Sequence, residues 1–140
     1  MSKYIRYLLY LLHHKYLVCI ECFRKGLILE GILHDISKFS PSEFIPYAEW
    51  FFGGVPKQKK RFSVARDLHR KRNRHHWNYW VTDFKSNCAN KIPDKYIIEM
   101  ICDWRAMGKT MRLSGKEYYL KNKDRMILHP STRRKIEKLI

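Results

Sequence analysis

With 140 residues, 45% of them hydrophobic and 14% aromatic, the chain can bury a core and is not a disordered basic tail. Its 29 Lys and Arg against 13 Asp and Glu give a formal net charge of +16, which calls for an anionic partner: a nucleotide or other phosphorylated small molecule, nucleic acid, or a membrane surface. Sparse glycine and proline (6 and 5), few Val and Thr, and abundant Leu, Ile, Lys, Arg and Tyr argue against a β architecture.

A first helix is expected from about Ser2 to Lys25, where Ile5, Leu8, Leu9, Leu12, Tyr16, Cys19 and Phe23 recur at helical spacing and Gly26 stops it. A second, about Leu27–Lys38, carries the adjacent pair His34-Asp35 near its C-terminal end. Ser40-Pro41-Ser42-Glu43 has capping-box spacing with proline at the first helical position, and opens a third helix through Phe44, Tyr47, Ala48 and Phe51. Gly53-Gly54-Val55-Pro56 and the basic residues after it form a loop. A fourth helix is expected over about Phe62–Arg72, a break at Asn73, then a short aromatic helix, His75–Phe84. Lys85–Ile92 is loop-like, and Pro93-Asp94 opens a helix to about Met107. Gly108 and Gly115 bracket another loop, and two short basic helices follow near Lys116–Lys123 and Ser131–Leu139. No alternating run predicts a strand. The reading is an all-α single domain over residues 1–140, with about six to eight helices.

Tyr4–Leu12 is apolar, but Arg6 interrupts it and His13-His14-Lys15 ends it, far short of the roughly 20 residues of a membrane span. A cytoplasmic protein with no membrane partner is expected. Cys19 and Cys22 form a C-x-x-C within a helical stretch, with no second such pair to complete a zinc site. With Cys88 and Cys102 they read as free thiols.

The adjacent pair His34-Asp35 carries the chemical argument. Each group is costly to bury alone, and together they offer one nitrogen and one oxygen ligand to a divalent metal. The alternative for them is a helix-end histidine beside a capping or salt-bridged aspartate. Asp103 shares a helix face with Tyr96, Met100 and Met107, so it either pairs with an arginine or binds a cation. Of His13 and His14 one can face the core. His69, His75 and His76 are surface histidines among arginines, or are drawn inward by Trp77, Tyr79 and Trp80. Lys38, one turn after His34, either neutralises a phosphate oxygen or completes a helix C-terminus. Arg70, Arg72 and Arg74 can hold phosphates by bidentate contacts, and Tyr79 with its neighbouring tryptophans can stack a base.

These residues resemble the HD-domain superfamily of metal-dependent phosphohydrolases. Leu33-His34-Asp35-Ile36-Ser37-Lys38 is similar to the superfamily's His-Asp-Ile-Gly-Lys form, with Ser37 in place of glycine. His14-Lys15-Tyr16-Leu17-Val18 resembles its His-Ser-x-x-Val, which favours His14 over His13. His69 and His76 (or His75) occupy the interval where binuclear branches add histidines. The chain is also similar to a family of small bacterial and phage proteins in His14-Lys15, in His34-Asp35-x-Ser37-Lys38-Phe39-Ser40-Pro41-x-Glu43-Phe44, in His75-His76-Trp77-x-Tyr79-Trp80 and in Glu99-Met100-x-x-Asp103-Trp104. A phage origin would place it in the host cytoplasm. The interval from His14 to His34 is short for an HD domain, which requires a tight join at Gly26.

The resemblance implies a compact helical bundle of HD-domain type with His14, His34, Asp35, His69, His76 and Asp103 as metal ligands. One or two divalent ions would bind (Mn²⁺, Fe²⁺, Co²⁺ or Ni²⁺, with Mg²⁺ or Zn²⁺ as alternatives), and Asp35 would bridge a pair. Asp35 and Lys38 are then catalytic, and Lys38, Arg70, Arg72, Arg74 and Tyr79 contact the substrate. The implied function is hydrolysis of a phosphoester or phosphoanhydride bond in a nucleotide or nucleotide-derived signal by metal-activated water. Two other readings stay open: a small basic helical nucleic-acid-binding protein, and a catalytically silent domain of this type that sequesters a nucleotide.

Overall fold

Ser2 caps the first helix by accepting a hydrogen bond from the Tyr4 amide, and α1 runs from Lys3 to Arg24. The computed structural model describes residues 1–54 and 56–140. The helices after α1 are α2 (Ile28–Leu33), α3 (Pro41–Phe52), α4 (Lys59–Arg72), α5 (Asp94–Met111), α6 (Gly115–Asn122) and α7 (Pro130–Leu139). Short 3-10 turns cover Ile36–Phe39, Trp77–Trp80 and Lys123–Arg125. The expected all-α class is correct, with seven α-helices among the described residues. Val55 of the expected Gly53–Pro56 loop lies outside the described residues.

Helix α1 is the spine, touching α2, α3 and α5. Tyr7 and Leu11 pack with Tyr47, Ala48 and Ala65 from α3 and α4. Further along α1, Val18 and Cys22 pack against Cys102 and Ala106 of α5. The opposite side of α5 (Ile97, Met100, Ile101, Trp104) closes over Tyr119, Met126 and Ile136 from the C-terminal segments. No helix among the described residues is long and apolar enough to cross a membrane. All four cysteines are free thiols.

The join between α1 and α2 is as tight as the short His14–His34 interval requires. Gly26 adopts φ 74°, its amide donates to Phe23 O (3.0 Å), and the Leu27 amide donates to Cys22 O (3.0 Å). This pattern reverses the chain directly after a helix and favours glycine. Gly31 then lets α2 lie close to α1, because a Cβ there would stand 3.0 Å from Cys22 Cβ. The Cys19 thiol donates to Gly31 O (2.9 Å), and the Lys15 ammonium donates to Ile32 O and to His34 O (2.8 Å). Lys15 thus satisfies carbonyls that the end of a short helix leaves open.

Several expectations are corrected. Helix α2 stops at Leu33, so His34 and Asp35 lie beyond it, and Asp35 has left-handed backbone (φ 55°). Ser40 precedes α3 but makes no capping bond through its side chain, which donates instead to Ser37 O (2.6 Å), and Glu43 is buried rather than reaching back to it. The capping box of the chain is instead Ser114 with Glu117, at the start of α6. Helix α4 begins at Lys59 rather than near Phe62. The expected aromatic helix His75–Phe84 is a 3-10 turn followed by a small antiparallel hairpin, Val81–Asp83 with Cys88–Ala89. Helix α5 continues through Gly108 to Met111 and reverses at Arg112 (φ 56°), where the Leu113 amide donates to Gly108 O (2.7 Å).

Candidate metal centre

Five segments deliver the site. Helix α1 contributes His14 and the turn after α2 contributes His34 and Asp35; α4 contributes His69, the segment after α4 His75 and His76, and α5 Asp103. His14, His34, Asp35, His69 and His75 are all buried, with exposures of 1–4%. His13 is exposed, which leaves His14 as the inward residue of that pair. The left-handed turn at Asp35 aims two adjacent side chains at one point. In a continuous helix they would diverge by about 100°.

Asp35 is the hub. Its Oδ1 lies 3.2 Å from His75 Nε2, 3.3 Å from His69 Nε2 and 3.6 Å from His34 Nε2. Its Oδ2 accepts from Lys38 Nζ (2.7 Å). Asp103 Oδ1 lies 3.1 Å from His14 Nε2 and 3.7 Å from His34 Nε2. His76 Nε2 stands 2.9 Å from His69 Nε2. Three groups have donor atoms within 4.8 Å of one another: Asp35 with His69, His75 and His76; His14 with His34 and Asp35; and His34 with His75 and Asp103.

Buried carboxylates fix the rings from behind. Glu99 Oε1 accepts from Nδ1 of both His34 (3.0 Å) and His75 (3.2 Å), and Glu43 Oε2 accepts from His69 Nδ1 (2.8 Å). An ionised carboxylate only accepts, so each Nδ1 carries a proton and each Nε2 faces inward. There the Nε2 atoms confront carboxylate oxygens, an arrangement that calls for a proton or a metal ion between them. Consistent with this, His34 Nε2, His75 Nε2, Asp35 Oδ1 and Asp103 Oδ1 are buried without a hydrogen-bond partner. Leaving such atoms unsatisfied costs about 1–3 kcal/mol each. Two ligands of one ion, each about 2.1 Å away, are separated by about 3.0–3.5 Å, which matches the spacings here. The donor set is imidazole and carboxylate with no thiolate, and histidine backed by carboxylate is the usual way of orienting metal-ligating rings. The residues fit a divalent metal ion.

Without an ion, the electrostatics show the same frustration. Burial pushes His34 toward its neutral form, but Asp35, Asp103 and Glu99 outweigh it and hold the imidazole up at about 10. Burial opposes ionisation of Asp35 too, yet Lys38, His34 and His69 hold its carboxyl well below the usual range. Asp103 is likewise kept ionised against burial by His14 and His34. His76 is driven well below its ordinary value by burial and by the neighbouring imidazoles of His75 and His69. Carboxylates hold both His34 and His75 up against burial in one space, and a metal ion would take the place of their protons.

A cavity of about 520 Å³ opens over the cluster. His69, His75, His76, Asp103 and Lys38 line it. Arg66, Arg70 and Arg125 bring further positive charge to it, and Trp77 and Tyr118 line the walls. Of the expected substrate contacts, Lys38 and Arg70 belong to this cavity and three others do not. Arg72 is turned away and pairs with Glu43 (3.1 Å) and the hydroxyls of Ser40 and Ser42. Arg74 donates to the Tyr96 hydroxyl (3.1 Å) and sits over the Tyr79 ring, so Arg74 and Tyr79 engage each other outside the cavity. Arg66 is one helical turn before Arg70, and that spacing was the available signal for it. Arg125 comes from a distant turn and had none.

The sequence leaves His75 as the alternative to His76; the structure brings both to the cluster. In the sequence Glu99 is visible only as a motif letter, and Glu43 as a capping-box residue that could also serve as a carboxylate behind the ligands; which rings they orient appears only in three dimensions. No curated protein and no solved structure matches the chain. One family model matches it over residues 3–140, and the chain therefore belongs to the family of unknown function DUF5662.

Proposed function

We propose that the protein is a metal-dependent phosphohydrolase of HD-domain type, acting on a phosphoester or phosphoanhydride of a nucleotide or nucleotide-derived molecule. One observation carries the reading: imidazole Nε2 atoms and carboxylate oxygens converge, buried and without hydrogen-bond partners, beside a cationic cavity. The chain order of the donors, His14, His34-Asp35, His69, His75-His76 and Asp103, supports the resemblance to HD domains. His14, His34, Asp35 and Asp103 would hold one ion, and His69, His75 and His76 with Asp35 a second. Mn²⁺, Fe²⁺, Co²⁺ or Ni²⁺ suits this mixture of imidazole and carboxylate. Bound there, such ions supply Lewis acidity and a water acidic enough to ionise near neutral pH.

The chain's own residues do the remaining work. Asp35 belongs to two of the donor groups and would be a ligand in either position. The Lys38 ammonium, kept protonated by Asp35 despite burial, faces the same space and neutralises a non-bridging phosphoryl oxygen. Arg66, Arg70 and Arg125 bind phosphate oxygens farther out by forked contacts. Trp77 and Tyr118 present apolar surface to a base or sugar and keep water from the walls. The volume is of the size that takes a small molecule.

The test is turnover of a panel of nucleotides and aryl phosphates by metal-loaded protein. Asp35→Asn and Asp103→Asn should each abolish hydrolysis at unchanged helical content, and Arg70→Ala should raise KM with kcat nearly unchanged. Hydrolysis that survives either aspartate variant refutes the assignment. Tight nucleotide binding with no product assigns the site to sequestration instead.

A further inference from the structure

Helix α1 has two apolar faces, and the fold uses one. Tyr7, Leu11, His14, Val18 and Cys22 are buried. The residues whose recurrence marks the helix in the sequence lie on the other face. Ile5, Leu9, Leu12, Tyr16 and Phe23 are exposed by 50%, 53%, 47%, 62% and 44%. With half-buried Cys19 they follow one another at intervals of four, three, four, three and four residues. That is the 3.5-residue repeat of a seam between paired helices, and α2 covers it only in part, where Cys19 and Phe23 meet Gly31. Beside it, α2 leaves Ile28, Leu29, Ile32 and Leu33 exposed, and Ile36 follows them.

The size of this face is out of proportion for a monomer. About half of each of ten large apolar side chains is on the order of 1,000 Å², against roughly 300–600 Å² for the largest patch on a typical monomer. A standard interface needs about 800 Å² from each partner. The six seam positions carry no charge in a chain of formal charge +16. The one lysine within α1 between Arg6 and Arg24 is Lys15, and its ammonium is occupied by the α2 carbonyls. A helix lying on an anionic membrane instead borders its apolar face with free lysines and arginines.

We infer that this face joins two copies of the chain, α1 against α1, in a two-fold dimer. The seam is self-complementary when the helices run antiparallel about an axis between Leu12 and Tyr16. Leu12 of one copy then meets Tyr16 of the other, Leu9 meets Cys19, and Ile5 meets Phe23. Each bulky residue faces a different partner, as an isologous contact requires. Two chains of such high positive charge repel one another, so the dimer tightens as salt screens them. Association with a membrane or nucleic acid has the opposite salt dependence.

Sedimentation of the full chain at about 0.1 and 0.5 M salt tests this, with and without Mn²⁺. Wild type should be a dimer whose dissociation constant falls at higher salt. The double variant Leu12→Glu/Tyr16→Glu should be monomeric with unchanged circular dichroism, because both side chains are already exposed. A wild-type protein that stays monomeric at about 100 µM in high salt overturns the inference, as does a dimer that survives the double substitution. A monomer that co-sediments with phosphatidylglycerol vesicles through the same residues also overturns it, and gives the face to a membrane surface.

Discussion

Glu99 touches no position where a ligand atom points, yet it should control metal affinity more strongly than any other residue outside the donor set. Its Oε1 accepts from Nδ1 of two rings, His34 at 3.0 Å and His75 at 3.2 Å, whose centroids lie 4.1 Å apart. Loss of one such orienting bond costs about 10–100-fold in metal affinity. Glu99→Ala removes two, so the expected loss is about 10²–10⁴-fold, or roughly 2.7–5.5 kcal/mol. Glu43→Ala releases only His69 among the donors and should cost about 10–100-fold. Glu99→Gln keeps an acceptor oxygen without its charge, and about tenfold is expected. Competition with a chromophoric chelator measures all three, with circular dichroism as the folding control. A Glu99→Ala protein that binds Mn²⁺ within threefold of wild type refutes the reasoning, as would a Glu43→Ala loss exceeding that of Glu99→Ala.

Four further outcomes are expected. Metal must displace the proton that Asp35, Asp103 and Glu99 hold on His34 against the effect of burial, with a pKa of about 10. Affinity should therefore rise with pH, about tenfold per unit per proton released, and flatten above that value; calorimetry in buffers of different ionisation heat checks the proton count. The raised pKa also stabilises the metal-free fold fully below about pH 6.5, and that contribution is lost as pH rises through about 10, which thermal melts of metal-free protein will show. Lys15→Met leaves the end of α2 uncapped, so a loss of about 1.5–3 kcal/mol in chemical denaturation and weaker metal binding are expected, although Lys15 meets only backbone carbonyls there. Gly108→Ala places a Cβ against the Leu113 carbonyl, which is backbone and cannot yield; a destabilisation above about 2 kcal/mol should appear in the same denaturation experiment.

The helical class was legible because apolar spacing, caps and scarce strand formers agree. The face that a helix buries was not. Periodicity of apolar residues picks out Ile5, Leu9, Leu12, Tyr16 and Phe23, whereas the buried side of α1 includes His14 and Glu21, whose burial depends on partners distant in sequence. At the site, the donors were legible by type and order, but their local backbone was not. Reading His34-Asp35 and His75-His76 as helical forces adjacent side chains apart and leads to choosing one histidine of the second pair. The left-handed Asp35 and the extended His76 (φ −93°, ψ 130°) remove that constraint. Glu43 has capping-box spacing after Ser40, and only the position of His69, from another helix, shows why its side chain turns inward. Arg72 and Arg74 share the charge of Arg70, but α4 turns Arg72 toward Glu43 and the segment after α4 carries Arg74 to Tyr96, so only Arg70 reaches the cavity.

Elemental analysis of the purified protein after dialysis, wild type beside Asp35→Ala, is the most direct experiment on the metal centre. About one or two transition-metal ions per wild-type chain, lost in the variant at unchanged helical content, is the expected result. A wild-type protein that carries no metal and retains none after loading with Mn²⁺, Fe²⁺ or Ni²⁺ would contradict it.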